Sequence, residues 1–410
     1  MLRSRPIIEY GPNTLITITF LGSITAFFAA STGLVQNDLK RVIAYSTCSQ
    51  IGYLFIACGL SQYNVALFHL VNHAFFKALL FLSAGAVLHA TYDEQDQRKL
   101  GGLQGFLPFA YTCILIGSLS LIALPFITGY YSKDLILELA YGQFQYPGQI
   151  AYYIGTISAS FTAFYSLRLI SITFITYPNA NKKVYKNAHD PSNIVIFVLI
   201  VLRILAIFYG YISRDLFVGI GSDFLNEALF VNTINIHIIE AEFGVNTIIK
   251  LLPLYISLGH AVLCVYIYHV YPLITNEVHN KKLYVFLNGK YLIDVIYNYY
   301  SIYKSLYLGY TISKTLDRGW VEQVGPYGLE KALYKTSVSL SKLDNGNISA
   351  YALYITIQIV AIIFVMFQNS LFNTRYIQTA EIMIFLVSLF IFNTIKDKNN
   401  LPFFKLFTFF

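Results

Sequence analysis

Charge is what this sequence has least of. Only 12% of its 410 residues are Asp, Glu, Lys or Arg, about half the share usual in soluble domains. The residues AVILMFWYC make up 56%, and mean hydropathy is +0.57. A soluble domain of this length would leave much of that apolar surface facing water, so a polytopic membrane protein is expected. The net charge of +7 is scattered through loops. It forms no nucleic-acid footprint, and no nucleic-acid partner is expected. Cysteine is also scarce. Cys48, Cys58, Cys113 and Cys264 lie far apart in apolar stretches without CxxC or Cys/His ligand spacing. Neither a disulfide framework nor an iron–sulfur site is suggested, and the four read as small buried hydrophobes. The start, MLRSRPIIEYGPNTL, has charge but no apolar core of the signal-peptide kind.

Apolar segments recur at about 14–34, 41–60, 64–90, 107–143, 150–176, 194–213, 251–274 and 349–368, with a further candidate at 376–395. Residues 91–103, TYDEQDQRKLGGL, read as a solvated loop. Residues 214–250, with Asp215, Asp223, Glu227, Glu240 and Glu242, read as an extramembrane loop with short helices. Within the fourth segment Pro125 and Gly129 should break the helix, because proline removes a backbone donor and clashes with the preceding turn. Apolar residues resume at once, so the break falls inside the membrane, with Lys133 and Asp134 just beyond it. Broken helices of this kind expose backbone and ionisable groups to an internal cavity. Lys133 and Asp134 at a helix end near the lipid surface is the other reading. Arg168, inside the fifth segment, would pair with a carboxylate or snorkel to the surface. Residues 284–344 carry a charge every few positions, yet apolar Leu292, Ile296, Tyr299, Tyr303 and Leu306 keep near-helical spacing. Such a stretch suits amphipathic helices lying along a membrane surface or against partner subunits, interrupted at GPYG, 325–328.

The stretch 66–90, ALFHLVNHAFFKALLFLSAGAVLHA, holds His69, His73 and Lys77 at intervals of four. On an α-helix each such step advances about 40° and about 6 Å, giving one spiralling stripe. Ionisable groups at that depth face a protein interior or a water-filled path rather than lipid. Histidines titrate near neutrality and have two ring nitrogens, and a buried lysine can change charge as its surroundings change, so the stripe suits a proton relay bridged by water. His69 and His73 also share a face as a metal pair would, but no glutamate follows the first histidine and no third ligand is apparent. Haem ligation would need histidines paired across two helices, and His89, His189, His237, His260, His269 and His279 offer no convincing spacing.

QNDLKRVIAYSTCSQIGY, the 66–90 stretch, QDQRKLGGL and PFITGYYSKDLILE, in that order, resemble the antiporter-like membrane subunits of respiratory complex I, a family related to Mrp-type cation/proton antiporters. The resemblance implies an all-α polytopic transmembrane bundle: a second five-helix antiporter repeat with a broken helix (1–180), two further crossings and their loop (181–283), an amphipathic lateral helix (284–345) and a C-terminal anchor with a possible extra segment (346–410). It matches His69, His73 and Lys77 to the family's proton-path histidines and central lysine, and Lys133 to the lysine of the second broken helix. Asp134 is its neighbour and expected charge partner. No catalytic, cofactor or metal residue is implied in this chain. NADH, FMN, iron–sulfur clusters and ubiquinone are expected elsewhere in the complex. Other membrane-arm subunits, membrane lipids and a separate chain supplying the first repeat are the expected partners, in the mitochondrial inner membrane. The separate chain is expected because MLRSRPIIEYGP resembles the join just before the second repeat. A stand-alone cation/proton antiporter, or a structural half-subunit without transport, are the competing readings.

Overall fold

The computed structural model describes residues 1–219, 222, 224, 225, 228, 229, 243–269, 281–342, 344 and 346–371. Among them the regular structure is helical, apart from one isolated antiparallel bridge between Asp38 and Asp96. The chain divides into two compact units, Met1–Asp294 and Val295–Phe410.

In the first unit the spans are α1 (Pro12–Gly33), α2 (Leu39–Gly59), α3 (Tyr63–Ala90), the pair α4 (Pro108–Ile122) and α5 (Thr128–Gly142), α6 (Tyr146–Ile170), α7 (Asn193–Val218) and α8 (Thr247–His269). Six of these helices, α6 being extended by a π-helical turn to Ile175, are long and apolar enough to cross a membrane. Local chemistry sets their ends. Pro12 and Pro108 stand at first helical positions, where a missing N–H costs nothing. The Asp38 carboxylate accepts from the N–H of Lys40 (2.9 Å) and Arg41 (3.3 Å), capping α2. Buried hydroxyls satisfy themselves on their own helix, as Ser83 Oγ does on Leu79 O at 2.6 Å.

Apolar side chains gain little from meeting each other rather than lipid, so association rests on close packing and interhelical hydrogen bonds. The α1–α2 contact shows this. A Cβ on Gly22 would lie 2.7 Å from Ile56 N, and one on Gly52 would lie 2.6 Å from Ala26 N, so only glycine permits the approach. One buried cluster joins Ile43, Phe76, Leu80, Ile114, Leu121 and Tyr165, from α2, α3, α4 and α6. A second joins Tyr53, Phe68, Ile136, Leu137 and Tyr152, from α2, α3, α5 and α6. Both draw on α2, α3 and α6, which together form the inside of the bundle. By contrast α7 and α8 leave large apolar residues such as Phe197, Phe208, Tyr255 and Val262 exposed.

The loop at 91–103 turns its charges to solvent as expected, in the ion pairs Arg98–Asp96 (2.7 Å) and Lys99–Glu94 (3.1 Å), but it buries Thr91, Gln97, Leu100 and Leu103 against the bundle. Two expectations fail. Cys58, Cys113 and Cys264 are buried, but Cys48 is exposed, because it shares with Ala44, Ile51 and Phe55 the outward stripe of α2. Arg168 neither meets a carboxylate nor snorkels. Its guanidinium donates to Leu34 O (2.9 Å), Gln36 O (2.7 Å) and Asn37 Oδ1 (2.8 Å), closing the C-terminal end of α1.

In the second unit the described residues 295–341 are helical except at Gly325, and none is buried. Regular turns at α9 (Lys304–Thr311) and α10 (Pro326–Ser341) alternate with π-helical Tyr297–Tyr303 and Ile312–Val321. The interruption expected at GPYG falls at Gly325, whose backbone leaves the helical region (φ −85°, ψ −121°). The charge-free segment forms α11 (Ile348–Leu371). The candidate segment 376–395 lies outside the described residues, as do Asp223, Glu227, Glu240 and Glu242.

Candidate functional site

His69, His73 and Lys77 are all buried, on the inner side of α3. The two histidine rings stand 6.2 Å apart, as four residues of helix require, too far for a direct hydrogen bond and suited to one bridging water. His69 is held at both nitrogens, Nδ1 by Ser132 Oγ at 2.9 Å and Nε2 by Gln50 Oε1 at 3.2 Å. An amide oxygen only accepts, so the network assigns a proton to Nε2. The neutral ring then takes the Ser132 hydroxyl proton at Nδ1, and the imidazolium would donate there instead. His73 meets the Phe76 ring edge-on at 5.3 Å. Lys77 Nζ crosses to α2, donating to Ile43 O (3.0 Å) and to Ser46 Oγ.

The helix break falls where proline places it. α4 ends at Ile122, Ala123 turns left-handed (φ 68°), and Phe126 beyond Pro125 does so again (φ 70°). Ala123 and Leu124 N–H return to Ser120 O (3.1 Å) and Leu119 O (3.2 Å), while Leu121 O takes Lys133 Nζ at 3.4 Å. The carbonyl end of a helix carries partial negative charge, so the ammonium sits where that end favours it. Its second acceptor is Thr162 Oγ1 at 2.9 Å, and the Tyr53 ring lies 5.3 Å away in cation–π range. Tyr53 is itself fixed by donating to Gly155 O at 2.7 Å. Gly129 N–H donates to Ser120 Oγ at 3.2 Å. A Cβ at Gly129 would lie 1.8 Å from Ser120 O, so only glycine lets the second half-helix start against the first.

Lys133 and Asp134, adjacent in sequence, are turned apart by the helix. Lys133 points among α4, α6 and Tyr53, whereas Asp134 lines a separate cavity of about 500 Å³ with Tyr130, Glu138, Arg214, Asp215 and Lys250. Glu138 and Lys250 form an ion pair there. Gln50, Ser46, Ser132, Thr162 and Tyr53 are contacts that the sequence reading did not single out. Their signal was present as hydroxyl and amide residues in otherwise apolar helices, but such residues usually bond their own backbone. Three neighbours carry buried polar atoms that find no partner among the described residues: Gln50 Nε2, both side-chain atoms of Asn72, and His73 Nε2.

A bundle of membrane-spanning helices, in which a discontinuous helix meets the buried histidines and lysine of a continuous one, defines an integral membrane protein. The family described as NADH:quinone oxidoreductase/Mrp antiporter, transmembrane, matches residues 1–162, and the family described as NADH dehydrogenase subunit 5 C-terminus matches residues 229–367. The chain is 66% identical over 369 residues to the NADH-ubiquinone oxidoreductase chain 5 of Mycosarcoma maydis, covering 89% of this chain and 55% of the relative. It is 59% identical over 379 residues to that of Cryptococcus neoformans var. grubii (91% and 57%) and 54% identical over 402 residues to that of Schizophyllum commune (97% and 58%). The chain belongs to the NADH-ubiquinone oxidoreductase chain 5 family, and it spans a little over half the length of these relatives.

Proposed function

We propose that this chain is a proton-translocating part of the membrane arm of NADH:ubiquinone oxidoreductase in the mitochondrial inner membrane, working with the other complex I subunits. The observation that carries this reading is the 2.9 Å contact between His69 Nδ1 and Ser132 Oγ. It ties the ionisable stripe of α3 to the residue beside Lys133 on the broken helix, so the two expected halves of the relay touch.

In this reading a proton held at Lys77 passes by water to His73, whose Nε2 has a free bonding position, and then to His69. His69 accepts at Nδ1 as Ser132 swings its hydroxyl away, then releases from Nε2 or Nδ1 as charge nearby changes. Lys133, resting on neutral oxygens rather than in a tight ion pair, takes up the next charge. Asp134 and its cavity then offer a polar way out. Partner subunits supply the charge changes, and the rest of the path lies in the portion of the relatives that this chain does not span. NADH oxidation and quinone reduction use groups held by other subunits.

A tagged chain purified in mild detergent should bring NADH:quinone activity with it. The purified material, sealed into vesicles, should then acidify them on addition of NADH. Purification without that activity, accompanied by sodium- or potassium-driven proton exchange, would replace this reading with a stand-alone antiporter.

A further inference from the structure

Away from the relay, α6, α8 and the helix Lys281–Asn288 enclose a cavity of about 790 Å³, within the roughly 300–1,000 Å³ range of ligand pockets. Its walls are apolar: Leu34, Phe161, Phe164, Ile172, Leu263 and Leu287. Its polar end holds Arg168, Arg98, Asn37, Tyr268 and Tyr284. Asn37 Nδ2 donates to Tyr284 Oη at 2.8 Å, which ties the pocket's end together.

Arg168 is the group that needs explaining. It is 7% exposed, its three acceptors are all neutral oxygens, and its Nε has no partner among the described residues. A buried lysine can shed its charge, but an arginine cannot, because its guanidinium stays protonated in proteins. The carbonyl end of α1 offsets roughly half a charge. No carboxylate among the described residues pairs with it. Arg98, at the same end, adds a second guanidinium, which Asp96 holds at 2.7 Å. A cationic end on an apolar cleft between membrane helices is what an acidic lipid headgroup and its acyl chain complement.

We propose that this cavity is a binding site for an acidic phospholipid, with the phosphate at Arg168 and Arg98 and one acyl chain between α6 and α8. The lipid supplies the missing counter-charge and fills the cleft between α6 and α8. The site is independent of the proton relay and of the partners proposed above.

The test uses the protein purified in mild detergent with whatever subunits accompany it. Phosphatidylglycerol carrying a diazirine near one acyl-chain end is added, irradiated, and the labelled peptides are mapped. Label should fall on 161–172 and 260–268, and unlabelled phosphatidylglycerol should compete it away, whereas phosphatidylcholine and inorganic phosphate should not. Arg168→Gln should lower labelling by about tenfold, the loss of one charge-assisted contact. Leu263→Trp, which fills the apolar part and leaves the arginines alone, should lower it as much. Equal competition by phosphatidylcholine, competition by inorganic phosphate, label elsewhere only, or unchanged labelling in Leu263→Trp would overturn the proposal. If Arg168→Gln fails to assemble, Leu263→Trp decides.

Discussion

Replacing Ser132 by alanine removes one hydroxyl from a fully buried position and leaves every charged residue in place. Ser132 Oγ is the 2.9 Å partner of His69 Nδ1, and Gln50 holds the ring's other nitrogen at 3.2 Å. Without the hydroxyl the neutral ring keeps its Nε2 proton but has an unsatisfied acceptor in a buried site, which costs about 1–3 kcal/mol. A relay that needs this ring orientation and tautomer would find its ready state about 5–150-fold less populated. Proton transfer should then limit the coupled reaction. The assay compares NADH-driven acidification of vesicles with NADH oxidation measured on the same preparation after dissipating the gradient. Ser132→Ala should depress acidification at least about fivefold, while oxidation in the uncoupled state changes less. Ser132→Thr keeps a hydroxyl and should recover most of the loss. Acidification in Ser132→Ala equal to that of the unaltered protein would refute the idea that this contact joins the two halves of the path.

Gly129→Ala places a methyl 1.8 Å from Ser120 O, where real contacts stay beyond 3.0 Å. The two half-helices must separate, and the amount of assembled protein on a native gel should fall sharply. Thr162→Val removes the 2.9 Å acceptor of Lys133 and keeps the shape, so a slower relay with normal assembly is expected, read as acidification per NADH oxidised. In the 91–103 loop, hydrogen bonds from Arg98 hold the Asp96 carboxyl below its usual range. A lowered carboxylate pKa contributes structure that is present above the unfolded value, about 3.9, and lost as pH falls through the lower folded one. Amide hydrogen exchange at residues 97–99, corrected for the intrinsic pH dependence of exchange, should therefore quicken only below about pH 4, and Asp96→Asn should remove that dependence.

Much of this was legible in the sequence. The spans could be read from apolar length, and the break from Pro125 and Gly129, because those signals are local. The stripe at His69, His73 and Lys77 followed from helical spacing alone, and the rings do lie 6.2 Å apart. What could not be read depends on which helices meet. Gln50 and Ser132 look like ordinary helix polar residues until α2 and α5 bring them to the same imidazole. Arg168 finds carbonyls at the end of a helix more than 130 residues earlier in the chain. Cys48 faces outward and Asp134 turns away from Lys133 because neighbours on one helix point in different directions, which spacing shows only once the inner face is known.

The central claim is that Lys77 and Lys133 carry protons on one connected path. Lys77→Met and Lys133→Met keep side-chain length and remove the charge. With the complex assembled and NADH oxidation measurable, the account expects each variant to abolish NADH-driven acidification of vesicles. Unchanged protons per NADH in both variants would contradict it and leave the two lysines as structural residues.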